Sequence, residues 1–304
     1  MSEDIGKIED IFMNTLETIK ISQNVYTAER ALFMANDFKI SNSSFKEGDS
    51  HLKESKDVEL ENCSFAGRYP IWHSRAIKLR NCYFQNGARS AVWYSSNVKI
   101  EDSIFESIRS LRRCRHLRIK NVSFANAEET LWNSQDVEME NVTANGKYFA
   151  MNTENVKATN ITVCGDYCFD GAKDVEIHES RILSKDAFWN CENVTIYDSH
   201  IVGDDFGWNS KSVTLIRCTI ESHQGMCYMD NLVMKDCDLI NTDEAFEYTS
   251  VVADINTKIT SIINPLSGVI KAKYINEIKQ DSHGKTKPEM TKIIITDENR
   301  KDTE

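Results

Sequence analysis

One alternation of apolar and polar residues recurs along the chain. KDVELENCSF at 56–65 returns as RAIKLRNCYF at 75–84, SNVKIEDSIF at 96–105 and RHLRIKNVSF at 115–124, then as ENVTIYDSHI at 192–201 and KSVTLIRCTI at 211–220. Apolar residues at the first and third places, with polar residues between, are the period of a strand that buries one face. The first apolar places are Phe38, Val58, Ile77, Val98, Leu117, Val137, Val156, Val175, Val194, Val213, Leu232 and Val252, spaced 19 to 21 apart. This predicts about twelve units. An Asn or Asp then breaks the run, as at Asn42, Asn62, Asn81, Asp102, Asn121, Asn141 and Asn160. Both residues accept the left-handed backbone of a bend, and at one-unit spacing their side chains predict a hydrogen-bonded ladder. A small and then a large inward residue follow: Cys63/Phe65, Cys82/Phe84, Ser103/Phe105. A third apolar place stands six residues before the next unit, at Ile71, Val92, Leu111, Leu131, Phe169, Phe188, Met226 and Phe246.

Three short strands per unit predict one turn of a parallel β-helix. A leucine-rich repeat would need a helical or loose second half, and a left-handed β-helix a six-residue period; neither is present. The expected fold is therefore all-β, a single-stranded right-handed parallel β-helix of about 12 coils of 19–21 residues, spanning 25–279. Pro70 interrupts the ladder within the regular coils, and Pro265 stands where the pattern fades. Ile8, Ile11, Phe12, Leu16 and Ile19 fall at helical spacing, so residues 1–24 are expected to cap the open edge, partly as a helix. Residues 280–304 read as a polar, flexible tail, with TKIIIT a short strand within it.

Composition narrows the partners. A net charge of −11 repels nucleic acid and anionic membranes, so neither is expected. The chain contains no run of eighteen apolar residues and no basic–apolar leader at its start, which points to a cytoplasmic protein. Nine cysteines without a CxxC pair read as reduced, buried hydrophobes; no metal site and no cofactor are expected. Oligomeric state is not legible.

In a β-helix, residues of one column are neighbours at about 4.8 Å, whatever their distance in sequence. All five tryptophans, Trp72, Trp93, Trp132, Trp189 and Trp208, share the column five residues before a unit, and Arg112 stands in it as well. Alternation points this column outward, as expected of a ligand-binding surface. Arg68, Arg89, Arg109 and Arg113 lie beside its early coils and suit an acidic ligand. Its later coils are acidic. Asp186 and Asp205 lie eight residues before a unit, Asp204 and His223 nine, with Asp166, Asp243 and Glu244 in register. Crowded carboxylates raise one another's pKa, which a general acid needs near neutrality.

TAERALF (27–33), the NCxF units, LSKDAFWNCENVT (183–195), GWNS (207–210), ESHQGMCYMDNLVMK (221–235) and INPLSG (263–268) resemble the bacterial domain-of-unknown-function family 3737 over roughly 21–274. That resemblance implies a pectin-lyase-like fold and brings no activity. The acidic coils also resemble polygalacturonase-type glycoside hydrolases. Asp186 stands where the first acid would be, Asp204–Asp205 where a G-D-D pair would be, and His223 where the histidine would be. This resemblance implies Asp204 as acid, Asp186 and Asp205 as the groups that position water, and His223 as their aid. The next coil departs: Glu247 and Thr249 replace the Arg and Lys that would bind a uronate, which argues against a galacturonide there. The expected function is binding, and potentially hydrolysis, of a poly- or oligosaccharide along an aromatic-lined groove. Whether the protein is an enzyme stays open; as one, it would be a glycoside hydrolase or a polysaccharide lyase. The alternative is a non-catalytic scaffold or binding module.

Overall fold

A computed structural model of the protein describes residues 18–280 and 290–297. It is a parallel β-solenoid, and the described residues contain no α-helix. The strands of the first face run from Ile19–Ser22 to Thr291–Ile295 and make about fourteen turns rather than twelve, because Ile19–Ser22, Ser267–Ala272 and Thr291–Ile295 extend the twelve expected units at both ends. Of the expected N-terminal helix, only Thr18 and Ile19 lie within the described residues, and Ile19 stands in a strand.

The rung 56–74 shows the plan. Lys56–Glu61 forms the first face, Asn62 turns the chain, Ser64–Phe65 forms the second face, and Ile71–Trp72 the third. The first-face pairings are parallel, and the early rungs keep one register, as in Val58↔Ile77↔Val98↔Leu117. From 115 to 164 the first two faces run together as strands of ten or eleven residues.

The bends explain the polar residues of the repeat. Asn62, Asn81, Asn121 and Asn141 all take φ near +50°, and their amides link rung to rung: Asn81 donates to Asn62 at 2.7 Å and Asn141 to Asn121 at 3.0 Å. The expected ladder is present.

Inside, the phenylalanines stack as a column. Phe45–Phe65, Phe65–Phe84 and Phe84–Phe105 have ring centroids 4.6, 4.6 and 4.2 Å apart and nearly parallel planes. Such aromatic pairs contribute about 0.5–1.5 kcal/mol each beyond their area. A second inner column carries Ser and Cys. Ser74 Oγ accepts the Ser55 N–H at 3.1 Å and donates to the Leu52 carbonyl at 2.9 Å, so a hydroxyl closes the backbone where the rung turns. Eight of the nine cysteines are buried and Cys164 is exposed.

Two expectations are corrected. Among the described residues the three-stranded sheet of the third face comprises Ile71–Trp72, Val92–Trp93 and Leu111–Arg112. Beyond them the apolar residue of the third place takes positive φ, as Leu131 (67°), Phe169 (59°) and Phe188 (57°) do. The chain turns there, the side chain still faces inward, and no strand ladder can form. In addition, the inward residue opposite Leu232 is Val251, while Val252 pairs with Val233 and is exposed.

Candidate functional site

Each tryptophan follows an inward residue of the third face and stands half-buried at the rim of its rung. Four of the indole N–H groups are tied down. Trp72 donates to the Ser90 carbonyl at 3.1 Å, Trp93 to Arg109 at 2.7 Å, Trp189 to Asp205 at 2.6 Å and Trp208 to Gln224 at 2.7 Å. Each acceptor lies in the loop of the following rung.

The rings also stack on one another. Trp72 and Trp93 lie 5.5 Å apart at 15°, and Trp189 and Trp208 lie 5.6 Å apart at 13°. The Arg112 guanidinium fills the gap between Trp93 and Trp132, 5.1 and 4.1 Å from their centroids. Tyr148 and Tyr167 bridge Trp132 to Trp189, and Tyr228 and Tyr248 extend the row. The result is one aromatic row along the solenoid, stacked at Trp72–Trp93, Tyr148–Tyr167 and Trp189–Trp208 and edge-on or tilted at Tyr167–Trp189, Trp208–Tyr228 and Tyr228–Tyr248. Sequence reasoning missed the tyrosines because they reach this row from a different place in the rung.

Arg112 is held by Glu129 at 3.2 Å, and Arg109 meets the same carboxylate at 2.8 Å. Burial lowers the Arg112 pKa. Arg112 Nε and Trp132 Nε1 are buried and have no hydrogen-bond partner among the described residues.

The four expected acid–base residues separate into two contacts. Asp205 N–H donates to the Lys185 carbonyl at 3.0 Å, which sets Asp205 beside Asp186 one rung away. Their carboxyl groups lie within hydrogen-bond reach of each other. Asp186 is only 3% exposed and Asp205 is half-buried. Burial raises the Asp205 pKa, and the Asp186 charge, the carboxyl–carboxyl hydrogen bond and Asp204 raise it further. A neighbouring carboxylate and burial both disfavour the ionised form of Asp205. Tyr167 stands on the other side of Asp186, whose charge raises its phenol pKa.

Asp204 is exposed in the adjoining column and faces His223. His223 Nδ1 lies 2.7 Å from Asp243, and this hydrogen bond is the main cause of its raised pKa. Glu244 in turn pairs with Lys279 at 2.7 Å. Gly203 is required where it stands, since a Cβ there would meet the Ser184 carbonyl oxygen at 1.8 Å.

A depression of about 750 Å³ lies on the first face, lined by Lys39, Glu59, Lys78, Arg118 and Glu138 among others. None of the expected site residues lines it. Its charges are already paired, with Glu59 between Lys39 and Lys78 and Arg118 on Glu138. The described residues hold no cluster of potential metal ligands and no helix long and apolar enough to cross a membrane.

The family described as protein of unknown function (DUF3737) matches residues 19–294. No curated protein matches the chain. Similar solved structures include PfbA, a surface adhesin of Streptococcus pneumoniae, at 9% identity and a TM-score of 0.41, with 92% of this chain and 89% of that one covered. The tailspike protein of E. coli bacteriophage HK620, in complex with a hexasaccharide, gives 8%, 0.36, 91% and 70%. The A-module of the Azotobacter vinelandii mannuronan C-5 epimerase AlgE4 gives 10%, 0.27, 90% and 86%. At TM-scores below 0.5 none of these speaks to the site.

Proposed function

We propose that this chain, which belongs to the DUF3737 family of proteins of unknown function, binds an extended glycan along its third face and cleaves it at the Asp186–Asp205 pair. The observation that carries the reading is that pair: two carboxyls in contact, one of them buried, beside the edge of an aromatic ladder. A carboxyl that keeps its proton toward neutrality can protonate a leaving glycosidic oxygen. Asp205, held up by burial and by Asp186, is the better donor, in place of Asp204. Hydrolysis with two separately acting carboxylates needs them about 5–9.5 Å apart. Asp186 and Asp205 are in contact and therefore act as one acid, and activation of water falls to Asp204 with His223 beside it.

The ligand would meet Trp189, Trp208 and Tyr228, and farther along Trp72, Trp93 and Trp132, by their edges where Trp72–Trp93 and Trp189–Trp208 stack face on face. Nine free cysteines, eight of them buried, suit a reducing, cytoplasmic setting.

A second reading, a scaffold without activity, is favoured by the bonds from the indole N–H groups to loop carbonyls, which a purely structural ladder would also make. An oligosaccharide array followed by product analysis separates the two. Cleavage that Asp205→Asn abolishes, with binding retained, supports the enzyme. Binding without products supports the scaffold, and no binding to any sugar overturns the glycan reading.

A further inference from the structure

Arginines on this surface are usually neutralised. Arg68 lies on Asp49, Arg80 on Glu61, Arg118 on Glu138 and Arg217 on Asp198. Arg109 and Arg112 share Glu129. Arg113 and Arg115, like Arg75, Arg89 and Arg181, make no ion pair among the described residues, and these two border the same depression.

Their placement follows from the rung. Cys114 points inward and is fully buried, so the residues on either side of it point out. Arg113 sits at the bend, with φ +51° and its N–H on the Trp132 carbonyl. Arg115 opens the next first-face strand, paired with Ser96 on one side and Gln135 on the other. The two side chains border one depression of about 530 Å³, lined also by Tyr94, Ser96, Asn133 and Gln135. The Arg113 guanidinium lies over the Tyr94 ring at 5.6 Å. No carboxylate lines this space, although the chain carries 47 Asp and Glu against 36 Lys and Arg.

Two guanidinium groups beside each other repel. In a chain this acidic, a compensating carboxylate is the ordinary arrangement, and it is missing here. The volume falls within the usual range for a small-molecule pocket, about 300–1,000 Å³. The wall offers two forked donors, the Tyr94 and Ser96 hydroxyls and the Asn133 amide, a set matched to the oxygens of a carboxylate or sulfate, while the Gln135 amide is already donated to Glu154 at 2.9 Å. The depression adjoins the third face, two rungs from Trp72 and one from Trp132.

We infer that this depression is a subsite for an acidic substituent, carboxylate or sulfate, of the glycan bound along the third face. The assignment rests on the glycan reading above and adds the class of ligand: an anionic polysaccharide, gripped by Arg113 and Arg115 well away from the Asp186–Asp205 pair. Charge separation along the molecule would also set the direction of the chain. Acidic units are drawn to the 94–135 rungs and repelled from the 186–244 rungs, where a neutral unit must lie.

The test is calorimetric titration of the full chain with a sulfated chondroitin tetrasaccharide, its desulfated counterpart and inorganic tripolyphosphate. The proteins compared are the wild type, the double variant Arg113→Ala/Arg115→Ala, and Arg75→Ala, an exposed arginine outside the depression. The sulfated sugar is expected to bind the wild type and Arg75→Ala at least about tenfold more tightly than the desulfated one, the scale of one charge-assisted hydrogen-bonded pair. The double variant should lose that preference. A preference that survives the double substitution overturns the subsite. Equal binding of both sugars to the wild type overturns it too, while leaving the glycan reading in place. Arginine-dependent binding of tripolyphosphate with no binding of either sugar keeps the anion site and overturns the glycan reading; no binding of any of the three overturns both.

Discussion

The indole nitrogen of Trp189 donates a hydrogen bond to the backbone carbonyl of Asp205 at 2.6 Å, across one rung. A residue expected from sequence to face a ligand therefore also fixes the loop that holds the acid. The ladder and the carboxyl pair are one construction.

Trp189→Phe keeps the stacked ring and removes this donor. It should cost about 1 kcal/mol, the usual worth of a hydrogen bond whose acceptor is left behind. The loss should appear as faster amide exchange in residues 203–207 with little change elsewhere. Unchanged exchange there would mean that the bond does not hold the loop.

Asp205 sets a pH dependence. Its pKa is raised in the folded protein, so between the ordinary aspartate value and the raised one the folded chain binds more protons than the unfolded chain. Stability contributed at this site therefore falls as pH rises through that window. Asp205→Asn should flatten the local dependence and stabilise the protein at neutral pH relative to the wild type. Urea titrations at acid and neutral pH measure this. If the enzyme reading holds, activity falls as pH rises through the same raised value.

His223 shifts stability in the same direction for a different reason, since here the charged form is the one favoured. Its hydrogen bond to Asp243 favours the imidazolium and raises its pKa above the usual 6.5. Stabilisation from the pair is complete below the unfolded value and is lost as pH rises through the folded one. In an NMR titration the His223 ring should change charge above pH 6.5, and Asp243→Asn should move that midpoint downward. A midpoint unmoved by the substitution would refute the pairing.

Phe84 lies between Phe65 and Phe105 with no exposed surface. Phe84→Ala should cost about 3–5 kcal/mol. Because each rung touches only its neighbours, the damage should stay local. Native-state exchange should accelerate at 77–79 and 98–100 and spare the rungs beyond 192.

The repeat was readable because one rung's alternation is copied down the chain. The inward Val58, Leu60, Cys63 and Phe65, the Asn bends and the alignment of Asp186 with Asp205 all follow from counting residues. The turned third face did not follow. An inward Phe188 in a strand and an inward Phe188 at a bend leave the same apolar mark in the sequence. Nor did the covering of Trp189 by Trp208, since alternation tells which way a ring leaves its own rung and not which ring comes to lie against it. Nor did the choice of Val251 over Val252, since two adjacent valines both fall within the spacing of the repeat. Arg113 reads from the sequence as suited to an acidic ligand, but its sharing one depression with Arg115 does not, because a missing counter-ion is visible only in space.

The burial of eight thiols inside the rungs, with Cys164 alone outside, has a practical side. A maleimide reagent applied to the folded chain should mark one position, at the end of a strand in the rung just before Asp186. A fluorophore there needs no engineered cysteine. It would sit between the arginine depression and the acidic coils, placed to report, as a single-molecule probe, a polymer threading from one to the other.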